Sequence, residues 1–275
     1  MRFFRKMVYE SEKICYNSNV PLITEKKGEK QLVYITGDTH GDMKRFRHPL
    51  LKKATSEDVL IICGDFGFFW DDSKQEQKLR KKLAALRYTV AFVDGCHENY
   101  DLLEQYPTQE WNGGMARIIA PNLVHLLRGE IYTIAGHSFF TFGGGHSQDF
   151  EFRSAEHWWE REQPTYEEIV HAAETLKQHG NQVDYIITHE PPASLKDCLR
   201  VDTLQRLEMH AFFEDLVQIC QFSAWYFGKC HMNRYIPIKY YALFDDVLAI
   251  KNTQRKLKPA QTEGDSVHVD HSTDH

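Results

Sequence analysis

Short apolar runs alternate with amphipathic stretches between residues 31 and 94. Each run is closely followed by glycine or aspartate, which is typical of a buried strand that ends in a turn. Three strands are predicted in this way: 32–35, 59–63 and 89–93. Apolar positions three or four apart predict helices over 42–53, where Pro49 ends or kinks the helix, and over 73–86. This β-α-β-α-β series implies a largely parallel sheet with right-handed crossovers.

From Trp111 onward the pattern changes to short strands separated by turn residues. The predicted strands here are 116–119, 123–127, 131–134 and 138–142. Their close spacing predicts a meander, which we assign to the second sheet of a sandwich. Two more helices are predicted, one capped by Thr165 with Glu168 three residues later and one capped by Asp202. Four further apolar runs predict strands: 183–188, 224–227, 234–238 and 247–250.

Composition narrows the class of protein. The chain has 275 residues, 42% of them hydrophobic, which is enough for one large core. A net charge of −6 disfavours general nucleic-acid binding, which usually needs a basic surface. Six cysteines without a C-x-x-C pair or a secretory leader predict reduced thiols in a cytoplasmic protein. The sequence has no apolar segment of bilayer-spanning length, so we expect no membrane insertion, and it does not indicate an oligomeric state.

The chain is expected to carry one domain between two peripheral segments. Residues 1–30 have mixed character and a charged run near their end, which predicts an N-terminal extension. Residues 31–252 hold all the predicted strands and form the expected domain. Residues 253–275 are polar, which is typical of a disordered tail.

Ligand-type residues follow five of the predicted strands. They are Asp38 and His40, then Asp65, then Cys96 and His97, then His189, and finally Lys229 and His231. Open α/β sheets place their ligands at the carboxyl ends of the strands. A carboxylate and an imidazole that project from one turn make half of a site for a hard-to-borderline metal ion.

In order, spacing and strand context, these motifs resemble the calcineurin-like metallophosphoesterase family, in particular its small bacterial members. The resemblance covers about residues 31–250. It implies a four-layer αββα fold, in which helices flank a two-sheet β-sandwich. The family pattern has five parts: G-D-x-H, G-D, G-N-H-E, a lone His and G-H-x-H. Here the corresponding residues are Gly37-Asp38-Thr39-His40, Gly64-Asp65, Gly95-Cys96-His97-Glu98, His189 and Gly228-Lys229-Cys230-His231.

The resemblance also implies roles for individual residues. Asp38, His40 and His231 would hold a first divalent metal ion, and Asp65 would bridge it to a second ion. A water acidified by the metal would attack phosphorus, and two cations can stabilise both the attacking and the leaving oxygen. His97 would not ligate but would donate a hydrogen bond or proton to the leaving oxygen. The implied cofactor is one or two ions of manganese, iron or zinc.

Two residues depart from the family pattern, and both fall on the second metal. Cys96 replaces an asparagine and Lys229 replaces a histidine, which leaves Asp65 and His189 as the family's ligands there. In one hypothesis the enzyme uses one metal, and the Lys229 ammonium provides the second cation's charge. In another, Cys96 ligates as a thiolate and favours zinc or iron. In a third, the site is degenerate and binds phosphorylated ligands without turnover.

Substrate contacts are predicted after the glycine run 143–145. His146 and Arg153 follow it, and Arg153 would either grip a phosphate bidentately or pair with a neighbouring glutamate. The aromatic runs 68–70 and 158–159 would either stack on an aromatic group or pack in the core.

The leading interpretation is a metal-dependent phosphoesterase, a phosphatase or phosphodiesterase, that acts on a small phosphate mono- or diester. Phosphoprotein phosphatases and dinucleoside tetraphosphatases of this family carry Arg-Gly soon after the second Gly-Asp, and no arginine follows Gly64-Asp65 here. The alternative is a catalytically weak or inactive module that binds a phosphorylated ligand. A nuclease is disfavoured by the acidic charge.

Overall fold

Thirteen strands form two sheets in the described residues of the structure, a computed structural model that covers residues 31–147, 158–201 and 207–250. The strands of the first sheet are β1 (Val33–Thr36), β2 (Val59–Cys63), β3 (Thr89–Val93), β4 (Thr108–Trp111), β5 (Gly114–Ala120), β6 (Leu123–Leu126) and β13 (Val247–Ile250). The strands of the second sheet are β7 (Glu130–Ile134), β8 (His137–Phe142), β9 (Tyr185–Thr188), β10 (Ala224–Phe227), β11 (Arg234–Ile236) and β12 (Tyr240–Ala242).

Both sheets have a parallel centre and antiparallel edges. In the first, the order is β13-β1-β2-β3-β6-β5-β4, and β1, β2, β3 and β6 are parallel. In the second, the order is β11-β12-β10-β9-β8-β7, and β8, β9, β10 and β12 are parallel. Strands that are covered on both faces need a nearly continuous apolar sequence, and β2 is buried at every position.

Helices cover the outer faces of the sandwich. They are α1 (Lys74–Ala84), α2 (Tyr100–Leu103), α3 (Tyr166–Gln178), α4 (Ala193–Leu199) and α5 (Glu208–Ile219). Ser73 caps α1 by accepting a hydrogen bond from the Glu76 N–H, and Thr165 and Glu168 form a complete capping box on α3. None of the helices in the described ranges combines the length and apolar character needed to cross a bilayer.

Three apolar clusters hold these layers together. The inner cluster lies between the sheets and includes Ile61 and Ile187. A second cluster packs α1 and α2 on the first sheet, and a third packs α3, α4 and α5 on the second. The described part of the chain therefore has the predicted α/β architecture of two sheets with helices on both outer faces, and its five cysteines are free thiols.

Several predicted elements need correction. The helix expected over 42–53 is two 3₁₀ turns, Arg45–Arg47 and Leu51–Lys53, because Pro49 cannot continue the hydrogen-bond ladder. The meander assigned to the second sheet is divided, since β5 and β6 belong to the first sheet and only β7 and β8 to the second. Asp202, expected as a helix cap, lies outside the described residues, and α5 begins at Glu208.

Candidate metal centre

The candidate site forms where the turns after β1, β2, β3, β9 and β10 meet. Several residues of these turns adopt left-handed backbone conformations, which cost non-glycine residues about 1–3 kcal/mol each and cluster at functional sites. They are His40 (φ 45°), Asp65 (φ 42°), Lys229 (φ 62°) and His231 (φ 46°). The fold therefore holds these side chains in place at the expense of local strain.

Four predicted ligands converge on one point. The ligand atoms of Asp38, His40, Asp65 and His231 all lie within 4.8 Å of one another. The Nε2 atoms of His40 and His231 are 3.0 Å apart, and His231 Nε2 is 3.1 Å from Asp38 Oδ2. His40 Nε2 lies 3.9 Å from a carboxylate oxygen of both Asp38 and Asp65.

A second group shares Asp65 with the first. Asp65, Cys96 and His189 are all buried, and their ligand atoms also lie within 4.8 Å of one another. His189 Nε2 is 3.5 Å from Asp65 Oδ1 and 3.7 Å from Cys96 Sγ. The other ring nitrogen of His189 contacts the Cys63 carbonyl at 3.1 Å, an arrangement that orients Nε2 toward the group.

Backbone N–H groups fix the two carboxylates. The N–H groups of Cys96 and His97 donate to Asp65 Oδ1 at 2.7 and 2.9 Å. The N–H of Lys229 lies 3.1 Å from both oxygens of Asp38. Gly95 and Gly228 permit this approach, because a Cβ at either position would collide with Asp65 or Asp38.

The surrounding charges keep Asp65 ionised. Burial alone would raise the pKa of Asp65, but His189 and the His97 hydrogen bond hold this pKa well below its usual range. Burial lowers the pKa of His40 and so favours the neutral imidazole that metal ligation requires. The hydrogen bond to Asp38 raises the pKa of His231, so a proton on His231 competes with a cation.

His97 lies at the rim of the group. Its Nδ1 is 2.8 Å from Asp65 Oδ2, and its side chain is 35% exposed. The ring packs edge-on to His40 at a centroid distance of 5.4 Å, and the Trp70 ring lies 6.4 Å away. With Nδ1 directed at Asp65, the Nε2 atom lies on the other side of the ring, away from Asp65.

Lys229 reaches the second group with its ammonium. Its Nζ lies 3.0 Å from Cys96 Sγ, 2.6 Å from the carbonyl oxygen of His146 and 3.5 Å from Glu190 Oε1. Burial opposes the charge, but Cys96, Glu190 and Asp65 raise the pKa of Lys229. The ammonium is therefore the stable form of this side chain.

The sequence motifs did not indicate Glu190, the buried carboxylate that faces the Lys229 ammonium. Glu190 directly follows His189, is fully buried, and contacts Lys196 Nζ at 3.0 Å and His210 Nε2 at 3.3 Å. The position of this glutamate next to a predicted ligand was the one feature of the sequence that could have indicated its role. Its partners lie on α4 and α5, and no motif connects them to it.

The predicted substrate contacts lie partly elsewhere. His146 is buried, and its ring contacts the Gln163 side chain at 3.1 Å while its carbonyl accepts from Lys229. Arg153 lies outside the described residues. Phe68 and Phe69 are fully buried in the core, which is one of the two alternatives expected for this aromatic run.

Trp70 lies beside His97, and Trp159 packs against Trp70. Trp70 and Trp159 are half-buried, and their rings meet edge-on at a centroid distance of 5.8 Å. Trp159 Nε1 donates to Asp101 at 2.8 Å, which fixes its ring. These rings form an aromatic wall beside His97.

The chemistry of the first group fits a divalent metal ion. Two carboxylates and two imidazoles are the ligands that manganese, iron and zinc accept in proteins. Two imidazole nitrogens that lie 3.0 Å apart, with carboxylate oxygens beside them, point at a common centre. The second group offers fewer ligands and already has an ammonium among them.

Two of the solved structures that this chain is similar to come from Staphylococcus aureus and Mycobacterium tuberculosis. A candidate 5′-nucleotidase from Staphylococcus aureus, solved with α-ketoglutarate, aligns over 80% of this chain and 50% of its own length, with 13% identity and a TM-score of 0.46. The chain thus spans half of that protein. The phosphopantetheinyl hydrolase of Mycobacterium tuberculosis aligns over 79% of this chain and 90% of its own length, with 15% identity and a TM-score of 0.40. No curated protein matches the sequence.

The family model for calcineurin-like phosphoesterases matches residues 32–228, which is most of the chain. This match confirms the predicted resemblance, and the family implies a metal-dependent phosphoester hydrolase. The chain belongs to the calcineurin-like phosphoesterase family.

Proposed function

We propose that the chain hydrolyses small phosphate mono- or diesters with a divalent cation bound by Asp38, His40, Asp65 and His231. The observation that carries the proposal is the convergence of these four side chains from three separate turns. Bound there, manganese, iron or zinc would polarise a phosphoryl oxygen and acidify a water molecule.

The protein's own residues supply orientation and proton transfer. The backbone N–H groups of Cys96 and His97 hold Asp65 in one orientation, so its second oxygen stays directed at the site. Asp65 in turn orients His97 through Nδ1. With a proton on each ring nitrogen, His97 would then donate the Nε2 proton to the leaving oxygen and keep the Nδ1 proton on Asp65, and a poor leaving group needs this step most.

The wall formed by Trp70 and Trp159 favours esters with an aromatic group. Trp70 lies beside His97, where the leaving group would depart, and Trp159 packs against Trp70. An aryl or nucleobase portion stacked there gains apolar contact area. We therefore assign aromatic phosphoesters as the preferred substrate class.

Hydrolysis of p-nitrophenyl phosphate and bis(p-nitrophenyl) phosphate tests the proposal. We expect manganese-dependent release of p-nitrophenol from at least one of them. Asp65→Asn should reduce the rate to background, whereas Asp215→Asn, at an exposed position on α5, should keep the wild-type rate. Equal rates for the wild type and Asp65→Asn across manganese, iron and zinc would contradict it.

The second candidate function is a module that binds a phosphorylated ligand without turnover. The replacement of two second-metal ligands by Cys96 and Lys229 is the observation that favours it. The same assay separates the two functions. Inorganic phosphate binding without release of p-nitrophenol from either ester would support the module and contradict the enzyme.

A further inference from the structure

Three acceptors from the described residues surround the Lys229 ammonium. The distances from Nζ are 3.0 Å to Cys96 Sγ, 2.6 Å to the carbonyl oxygen of His146 and 3.5 Å to Glu190 Oε1. Cys96 is also a member of the second ligand group with Asp65 and His189. An ammonium and a second metal ion would therefore compete for the same sulfur.

A buried charge network keeps the ammonium there. Glu190 is fully buried, and one of its oxygens contacts Lys196 and His210, which are each 1% exposed. Its other oxygen faces Lys229 and lies 3.3 Å from the backbone N–H of His146. Glu190 is thus a fixed anion, and it holds Lys229 against the second ligand group.

The backbone of Lys229 adds to this arrangement. Its N–H binds both oxygens of Asp38, and its left-handed conformation lets the side chain turn toward Cys96. One residue therefore fixes a ligand of the first group and places a positive charge at the second. The side chain is 11% exposed, and Glu190 at 3.5 Å is the most distant of the three acceptors, so a bound anion would replace this contact.

We propose that Lys229 replaces the second metal ion, so that the site binds one cation and grips the phosphate with the Lys229 ammonium. This inference rests on the proposed function. Lysine binds phosphate as a point charge and cannot act as a Lewis acid. The one cation and the ammonium would then share the phosphoryl oxygens between them, while Cys96 accepts from the ammonium and does not ligate.

Metal content tests the first part of the proposal. Full-length protein loaded with zinc and dialysed should retain one zinc ion per chain. The double variant Cys96→Asn, Lys229→His restores the family's ligand types and should retain two. Two ions on the wild type would overturn the proposal. Sulfur coordination in the zinc X-ray absorption spectrum of the wild type would also overturn it, and this measurement does not depend on the folding of the variant.

Binding of inorganic phosphate, measured by isothermal titration calorimetry, tests the second part. Lys229→Met keeps the length of the side chain and removes its charge, so the dissociation constant for phosphate should rise about tenfold or more. Lys177→Met, at an exposed position on α3, is the matched control and should leave this constant unchanged. An unchanged constant in a folded Lys229→Met protein, checked by its melting temperature, would overturn the proposal.

These outcomes separate the inference from the proposed function. One zinc ion and phosphate binding without ester hydrolysis would contradict the function and leave the charge replacement standing. Two zinc ions with full hydrolysis would contradict the charge replacement and leave the function standing.

Discussion

Glu98 holds the turn that carries Asp65, and its replacement has an effect that can be worked out from the structure. The side chain is 1% exposed and accepts the N–H of Phe66 at 2.5 Å and the N–H of Gly67 at 3.4 Å. Burial and the nearby charge of Asp65 raise the pKa of Glu98, which favours the neutral carboxyl group. A neutral acceptor should therefore serve as well as the native group.

The magnitude follows from these contacts. Glu98→Ala leaves the buried N–H of Phe66 without an acceptor, which costs about 1–3 kcal/mol, and the longer contact to Gly67 adds less. The cavity left by the truncated side chain adds about 1 kcal/mol or more. We expect a total loss of about 2–4 kcal/mol for Glu98→Ala. Glu98→Gln keeps a carbonyl acceptor for the N–H of Phe66 and loses only the long contact to Gly67, so it should cost about 1 kcal/mol.

Urea unfolding measures the free energy, and zinc titration measures the effect on the site. Because the turn positions Asp65, we expect Glu98→Ala to weaken zinc binding about 10- to 100-fold. Glu76→Ala is the matched control, since Glu76 also accepts two backbone N–H groups, at 2.7 and 2.9 Å, but lies at the start of α1. It should destabilise the fold and leave zinc affinity unchanged. Equal destabilisation by Glu98→Gln and Glu98→Ala would refute the reasoning, because Glu98 would then act as a charge.

Three further predictions concern stability, specificity and catalysis. Burial opposes the charge of Asp94, but Arg128 holds the pKa of this carboxyl low. Asp94→Asn should therefore lower the free energy of unfolding by about 3–5 kcal/mol at neutral pH. The wild type loses this contribution as the pH falls below about 4, so the urea midpoint of the variant should approach that of the wild type there. Trp70→Ala should raise the KM for an aryl phosphate about fivefold and leave the KM for a methyl phosphate unchanged. Equal changes in the two KM values would show that the Trp70 ring does not contact the substrate. His97→Ala should lower kcat about 100-fold or more for an alkyl ester and much less for a p-nitrophenyl ester, whereas equal losses would exclude proton donation.

Strands buried on both faces were predictable to the residue. The bounds of β2, β3 and β10 match the apolar runs, because a continuous run between turn residues has one register in a covered sheet. Sheet membership was not predictable for the later strands. A hairpin pattern gives the pairing of β5 with β6 and of β7 with β8, but it does not say that the chain crosses between sheets after β6.

The metal centre was predictable in part for a similar reason. Asp38, Asp65 and His231 each follow a strand within a short motif, so their convergence could be expected from the topology. Glu190 could not be connected to Lys196 and His210, because buried ion pairs between separate elements carry no sequence period. The strands also gave no indication that the ring of His146 lies beside Gln163.

The most direct test of the account is a crystal of the full-length protein soaked in manganese and measured for anomalous scattering. We expect one peak in contact with Asp38, His40, Asp65 and His231, with Lys229 Nζ still beside Cys96. The absence of a peak among these four residues, in crystals that bind manganese elsewhere, would contradict it.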